Sequence, residues 1–118
     1  MFKFEVNDKN VVKQLEQLGG FSDEMAKEIA NNLGVVAHNT ARNLVPVDTG
    51  ALKQSITLEV EKDGNGYAAY IGSDLEYAPD VEYGRSNQRA QPYLQPAKRE
   101  AEKQMPKIAQ AVVDKYVK

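Results

Sequence analysis

The sequence predicts an α+β fold, a small antiparallel sheet with helices packed on one face, and two patterns support this prediction. Apolar residues alternate with polar ones at the N-terminus and at about residues 56–72, on either side of the turn sequence Asp63-Gly64-Asn65-Gly66. Apolar residues recur every three or four positions at about residues 22–45 and 96–117. A period of two indicates a strand and a period near 3.6 a helix, and helical residues are in the majority here.

The first predicted element is a short strand, in which Phe2, Phe4 and Val6 alternate with charged residues. Asn7 or Asp8 is suited to cap a following helix, which Gly19-Gly20 would end. The longer helix begins at Ser22, with acidic residues in the first turn, where the helix dipole favours them. One side of it carries an apolar stripe, and Pro46 ends it. The stripe consists of Met25, Ile29, Leu33, Val36, Thr40 and Leu44.

A hairpin and two further helices complete the predicted chain. The first hairpin strand places Ile56, Leu58 and Val60 on one face, and the return strand places Tyr67, Ala69 and Ile71 there. A short helical segment ends at Gly84, and the polar residues 85–91 are interpreted as a mobile loop. The last helix starts near Pro96 and is kinked near Pro106, because proline cannot donate its helical hydrogen bond.

Composition limits the classes of function open to this chain. Its 118 residues are interpreted as a single domain, 1–118, and 42% of them are hydrophobic. Cysteine is absent and His38 is the single histidine, so no cofactor and no metal centre are predicted. His38 is assigned to polar packing against the rest of the chain. No apolar run approaches membrane-spanning length, and the N-terminus does not resemble a signal peptide.

Charge is distributed unevenly along the chain. Residues 59–82 hold seven acids and one base, whereas residues 85–118 hold eight bases and three acids. Two solvated faces of opposite sign would explain this pattern. Alternatively, the basic end of one copy meets the acidic middle of another.

Residues 45–51 read VPVDTGA and include the Asp-Thr-Gly sequence of aspartic proteases. In a dimeric protease, Asp48 would share a proton with its symmetry copy inside a mostly β fold. The surrounding pattern is helical instead. We therefore interpret the segment as a structural corner in which Asp48 caps a helical turn, with no catalytic residue. The corner residues are Pro46, Asp48, Thr49, Gly50 and Ser55.

Three ordered motifs resemble the signature of a family of small tail and neck components of long-tailed bacteriophages. Residues 45–56 read VPVDTGALKQSI, residues 77–84 read YAPDVEYG and residues 91–97 read QPYLQPA. The chain departs from the family pattern at Arg85, Tyr93 and Gln95, where threonine, phenylalanine and a basic residue are usual. The resemblance implies a non-enzymatic virion protein similar to tail-completion or head–tail joining components, which form rings, commonly six-fold. It also implies other phage tail and neck proteins as partners, and the virion as location, after the host cytoplasm.

A ring requires two different patches that meet between neighbouring copies. We predict that acids of one copy lie near bases of the next, with tyrosines as anchors. The candidate interface residues are Glu76, Tyr77, Asp80, Glu82, Tyr83, Arg85, Arg89, Tyr93, Lys98 and Arg99. Two alternatives stay open at this point, the dimeric protease and a small DNA-binding or regulatory module that uses the basic C-terminal helix. No small-molecule substrate and no membrane contact are predicted, and DNA would meet the protein only in passage.

Overall fold

The computed structural model describes residues 1–7, 13, 17, 22–46, 50–64 and 66–116. Within them lie three strands, β1 (Phe2–Val6), β2 (Thr57–Asp63) and β3 (Gly66–Ser73). The helices are α1 (Asp23–Leu44), α2 (Ala51–Ser55), α3 (Ala78–Tyr83), α4 (Leu94–Lys103) and α5 (Met105–Tyr116). The predicted α+β class is confirmed. The helix predicted after Asn7 falls largely outside the described residues.

The sheet is antiparallel, with strand order β1-β3-β2. Phe2 pairs with Ser73 and Val6 with Ala69, while β2 and β3 form the predicted hairpin, in which Leu58 pairs with Ile71. β3 is the central strand, and Ala69 and Ile71 on it are fully buried. On β2, exposed residues alternate with half-buried ones, as expected for an edge strand with one dry face.

Helix α1 packs across the inner face of the sheet and also contacts α4 and α5. Ser22 caps its N-terminus by accepting a hydrogen bond from the backbone N–H of Met25 (3.2 Å). Its buried face includes Met25, Ile29 and Leu33 of the predicted stripe together with a row of small residues. Leu44, the last residue of the predicted stripe, is 48% exposed. Those small residues are Ala26, Ala30, Gly34, Ala37 and Ala41. They let the helix approach the sheet closely, and a Cβ placed on Gly34 would come within 3.1 Å of the Ala69 Cβ.

The C-terminal helix divides in two, which confirms the predicted kink. Helix α4 ends before Gln104, and α5 begins with Met105, so that Pro106 is the second residue of α5. A proline there costs little, because the first N–H groups of a helix have no helical partner. Both helices bury alanine and apolar residues against α1, and Lys115 donates to Glu28 of α1 (2.7 Å) near the C-terminal end.

Candidate functional site

The corner between α1 and β2 is held by hydrogen bonds from the elements around it. Gly50 precedes α2 with φ of 74°, a left-handed backbone that glycine adopts without strain. The Nε2 of His38 donates to the carbonyl of Ile56 (2.9 Å), so this histidine serves in packing. Pro46 is half-buried at the end of α1, while Asp48 and Thr49 lie outside the described residues. The predicted Asp48 cap therefore stays a prediction.

Ser55 belongs to a short chain of hydroxyl hydrogen bonds that ties α2 to the end of β3. Its Oγ donates to the carbonyl of Leu52 (2.7 Å), which leaves it to accept from the Oγ of Ser73 (2.6 Å). The buried Ser73 Oγ in turn accepts from the backbone N–H of Leu75 (3.1 Å). Each polar atom in this chain is satisfied, so the corner and the β3–α3 connection are fixed to each other.

Glu82 is the one fully buried acid among the described residues, and it lies 1% exposed at the end of α3. Its Oε1 accepts the backbone N–H groups of Tyr93 (3.1 Å) and Leu94 (2.8 Å), and its Oε2 accepts that of Gln95 (3.0 Å). These are the first donors of α4, which have no helical acceptor. The carboxylate therefore caps α4 from a different element and joins the two ends of the intervening loop.

Tyr93 is fully buried beside Glu82, and its hydroxyl has no hydrogen-bond partner among the described residues. Burial first, and then the charge of Glu82, raise the pKa of Tyr93 well above the usual value for tyrosine. The hydroxyl is thus held neutral and unsatisfied, which costs folding free energy. Phenylalanine, which the signature that this sequence resembles usually has here, would avoid that cost.

A Tyr93→Phe variant is expected to be more stable than the natural chain by about 1 kcal/mol, because it removes an unsatisfied buried hydroxyl. Since the folded-state pKa of Tyr93 is raised, the natural chain loses additional stability above about pH 10, and the variant lacks that loss. Urea unfolding at neutral and at alkaline pH measures both effects. The control is Tyr116→Phe, which removes a hydroxyl from a ring that is 44% exposed. A Tyr93→Phe variant less stable than this control would contradict the prediction.

The structure separates the predicted interface residues into three groups, which are buried, half-buried and exposed. Glu82 and Tyr93 are buried within the chain, so their predicted place on a subunit surface needs correction: a side chain with no exposed surface cannot meet a neighbour. Asp80 and Lys98 are half-buried and engaged within the chain. Asp80 pairs with Arg85 (3.5 Å), and Lys98 donates to the carbonyl of Glu5 and to Glu102 (2.8 Å each).

The remaining predicted residues are exposed. Tyr77 is 42% and Tyr83 62% exposed, and the Tyr83 ring lies edge-on to Phe2 with 5.7 Å between centroids. Glu76, Arg89 and Arg99 are exposed and have no ion-pair partner among the described residues. They are available to a neighbouring molecule, but whether one binds there stays a prediction.

The loop at 85–91 forms a tight turn, in which Arg85 and Gln88 exchange two backbone hydrogen bonds (2.9 and 3.1 Å). Gly84 precedes it with φ of 83°, and a Cβ at this position would come within 2.9 Å of the Ala90 nitrogen. All of the residues 85–91 are exposed. Its predicted mobility stays a prediction.

The described residues hold no group of His, Asp and Glu side chains that is arranged to bind a metal ion. In the same part of the chain, no helix is both long and apolar enough to cross a membrane. The elements on either side of position 48 are the helices α1 and α2, whereas the protease interpretation places Asp48 at the end of a strand.

Comparison with known proteins gives one finding. A family model described as "Bacteriophage HK97-gp10, putative tail-component" matches residues 9–84, well over half of the chain. The match covers α1, the corner, the whole hairpin and α3. No curated protein sequence and no solved structure shows significant similarity to the chain.

Proposed function

Because the chain belongs to the bacteriophage HK97-gp10 family of tail components, we propose that it is a ring-forming structural protein of the virion neck. In this proposal the protein is a tail-completion or head–tail connector component. Several copies, six in the commonest arrangement, join in a closed ring that meets other tail and neck proteins. The protein acts by assembly and carries out no catalysis.

The family match carries this proposal, and the distribution of exposed aromatic rings supports it. Tyr77 and Tyr83 lie on neighbouring parts of the chain and expose large ring surfaces. Tyrosine is enriched at protein interfaces because its ring is apolar and its hydroxyl remains hydrogen-bonded at a wet rim. The alignment between neighbouring copies would be set by exposed charges that have no ion-pair partner within the described residues. These are Glu76, Arg89 and Arg99.

The family match gives no support to the two alternatives. The protease requires strands next to Asp48, whereas the elements on either side of that position are the helices α1 and α2. A DNA-binding module would use an excess of positive charge, but the chain carries a net charge of −2.

Self-association of the purified full chain tests the proposal. Sedimentation velocity over a range of concentrations should show a species heavier than the 13.1 kDa monomer, and negative-stain microscopy should show closed rings. A Tyr83→Ala variant should associate about tenfold more weakly, since interface tyrosines contribute strongly to affinity. Tyr116→Ala, which removes another exposed ring (44%) near the end of α5, is the control. A chain that is monomeric at every concentration would overturn the proposal.

A further inference from the structure

Three exposed basic residues follow one another along α4 and α5. Arg99, Lys103 and Lys107 are spaced four apart, which places successive members on the same side of a helix, and only Gln104 separates the two helices. None of the three has an ion-pair partner among the described residues. We call these three residues the basic ridge.

The acids of α4 form no ion pair with the basic ridge among the described residues. Glu100 accepts a hydrogen bond from the side chain of Gln104 (2.9 Å). Glu102 accepts from Lys98 (2.8 Å) and from the backbone N–H of Asn7 (3.1 Å), so it is turned towards β1. In the sequence these acids alternate with the bases, but in the structure their hydrogen bonds go to residues outside the ridge.

An acidic counterpart lies in the connection between β3 and α3. Asp74 and Glu76 are exposed and, among the described residues, have no ion-pair partner. Tyr77 follows them and is 42% exposed. We call Asp74, Glu76 and Tyr77 the acidic patch. It combines a half-exposed aromatic ring, a residue type enriched at protein interfaces, with acidic side chains of the kind found at the polar rim of an interface.

The acidic patch lies at the end of the sheet where β1 begins. Asp74 directly follows Ser73, which pairs with Phe2 at the start of β1. Tyr83 contacts Phe2 at the same end, and the adjacent Glu82 binds the N-terminus of α4 there. Helix α4 therefore starts close to the acidic patch.

The basic ridge extends from the middle of α4 towards the opposite end of the sheet. Lys98 reaches the carbonyl of Glu5, and Glu102, one turn later, reaches the N–H of Asn7, just beyond the end of β1. The helix thus runs alongside β1 from its beginning to its end. The last two bases of the ridge follow Glu102 and lie at the end of the sheet away from the acidic patch.

We propose that the basic ridge of one copy binds the acidic patch of the next copy in a head-to-tail contact. This inference rests on the proposed self-assembly and names its interface. Two complementary patches at opposite ends of one molecule give a contact that repeats from copy to copy, and such a contact forms a ring when the rotation between copies closes and a filament when it does not. The occupant is a second copy and not DNA, because the matching charge is present on the same chain and the ridge carries no aromatic residue for base stacking.

A charge-swap experiment tests this contact in the full-length chain. Lys103→Glu places an acid opposite the acidic patch, and Glu76→Lys places a base opposite the basic ridge. Each variant alone is expected to self-associate about tenfold more weakly than the natural chain. An equimolar mixture of the two variants should associate nearly as well as the natural chain, because alternating copies restore opposite charges at every contact.

Sedimentation velocity measures the association, and thermal unfolding followed by circular dichroism verifies that both variants are folded. Lys27→Glu makes the same charge change on the exposed surface of α1 and should leave association unchanged. Failure of the mixture to recover, or variants that associate like the natural chain, would overturn the named contact but not self-assembly. A natural chain that never associates would overturn both. Retention on a short DNA duplex that is lost in Lys103→Glu would assign the ridge to DNA instead.

Discussion

A Glu82→Ala variant is expected to unfold with a free energy lower than that of the natural chain by about 3 kcal/mol. The substitution removes the acceptor of three backbone N–H groups, those of Tyr93, Leu94 and Gln95, which lie 2.8–3.1 Å from the carboxylate. Two of these bonds are fully buried, so water cannot readily replace the carboxylate. The start of α4 should therefore fray, and urea unfolding measured by circular dichroism should show the loss.

Glu76→Ala is the matched control for this prediction, because Glu76 is an exposed acid in the preceding connection. Its loss should change the unfolding free energy by less than about 0.5 kcal/mol. The unfolding free energy of Glu82→Gln should fall between those of Glu82→Ala and Glu76→Ala. Its amide oxygen can still accept a hydrogen bond, but its amide nitrogen faces a backbone donor. Equal stability of the Glu82→Ala and Glu76→Ala variants would show that the buried carboxylate does not hold α4.

The start of α4 illustrates where local sequence patterns are insufficient. Pro96 is the first helical residue that a local pattern indicates, but α4 begins at Leu94. The two additional residues become helical because Glu82, a dozen positions earlier, accepts their N–H groups. No residue close to Leu94 in the sequence indicates that this acceptor is present. A cap supplied by another element depends on the tertiary fold, which a local pattern does not contain.

The hairpin and α1 were predictable because their signals are local. The turn sequence around Gly64 and the alternation on either side fix a two-stranded unit, and the observed strands end within a residue or so of the predicted limits. Helix α1 has both a cap at Ser22 and a stop at Pro46. The pattern placed Leu44 in the apolar stripe, although it is 48% exposed, and gave no signal for Gly34, whose lack of a side chain lets the helix approach Leu58 and Ala69.

The sequence could not show which residues of the candidate surface are free to bind another molecule, for a similar reason. Composition identifies segments rich in acids or bases, but not which charges the fold uses internally. Glu82, Asp80 and Lys98 all bind partners within the chain, whereas the basic ridge stays unpaired. A charged residue is available to another molecule only after these internal contacts are known.

Gly72 occupies the position in the sheet where the least space remains for a side chain. It lies on the central strand β3, opposite Lys3 on β1 and Thr57 on β2. A Cβ on Gly72 would come within 2.6 Å of the Lys3 Cβ and 2.7 Å of its Cα, and closer still to the Phe2 carbonyl oxygen. Lys3 lies across this face, with its Nζ 4.5 Å from the centre of the Tyr70 ring. The backbone of β1 cannot move away from Gly72 without breaking its pairing with β3.

A Gly72→Ala variant is therefore expected to lose about 3 kcal/mol of folding free energy, because the added methyl group forces β1 away from β3. Amide hydrogen exchange should accelerate first in Phe2–Val6, since these residues pair with no strand other than β3 among the described residues. Gly66→Ala is the control on the same strand, where the nearest atom to an added Cβ is 3.9 Å away. If both variants were equally stable and exchange in β1 were unchanged, the close approach of β1 at Gly72 would not be a constraint on this sheet.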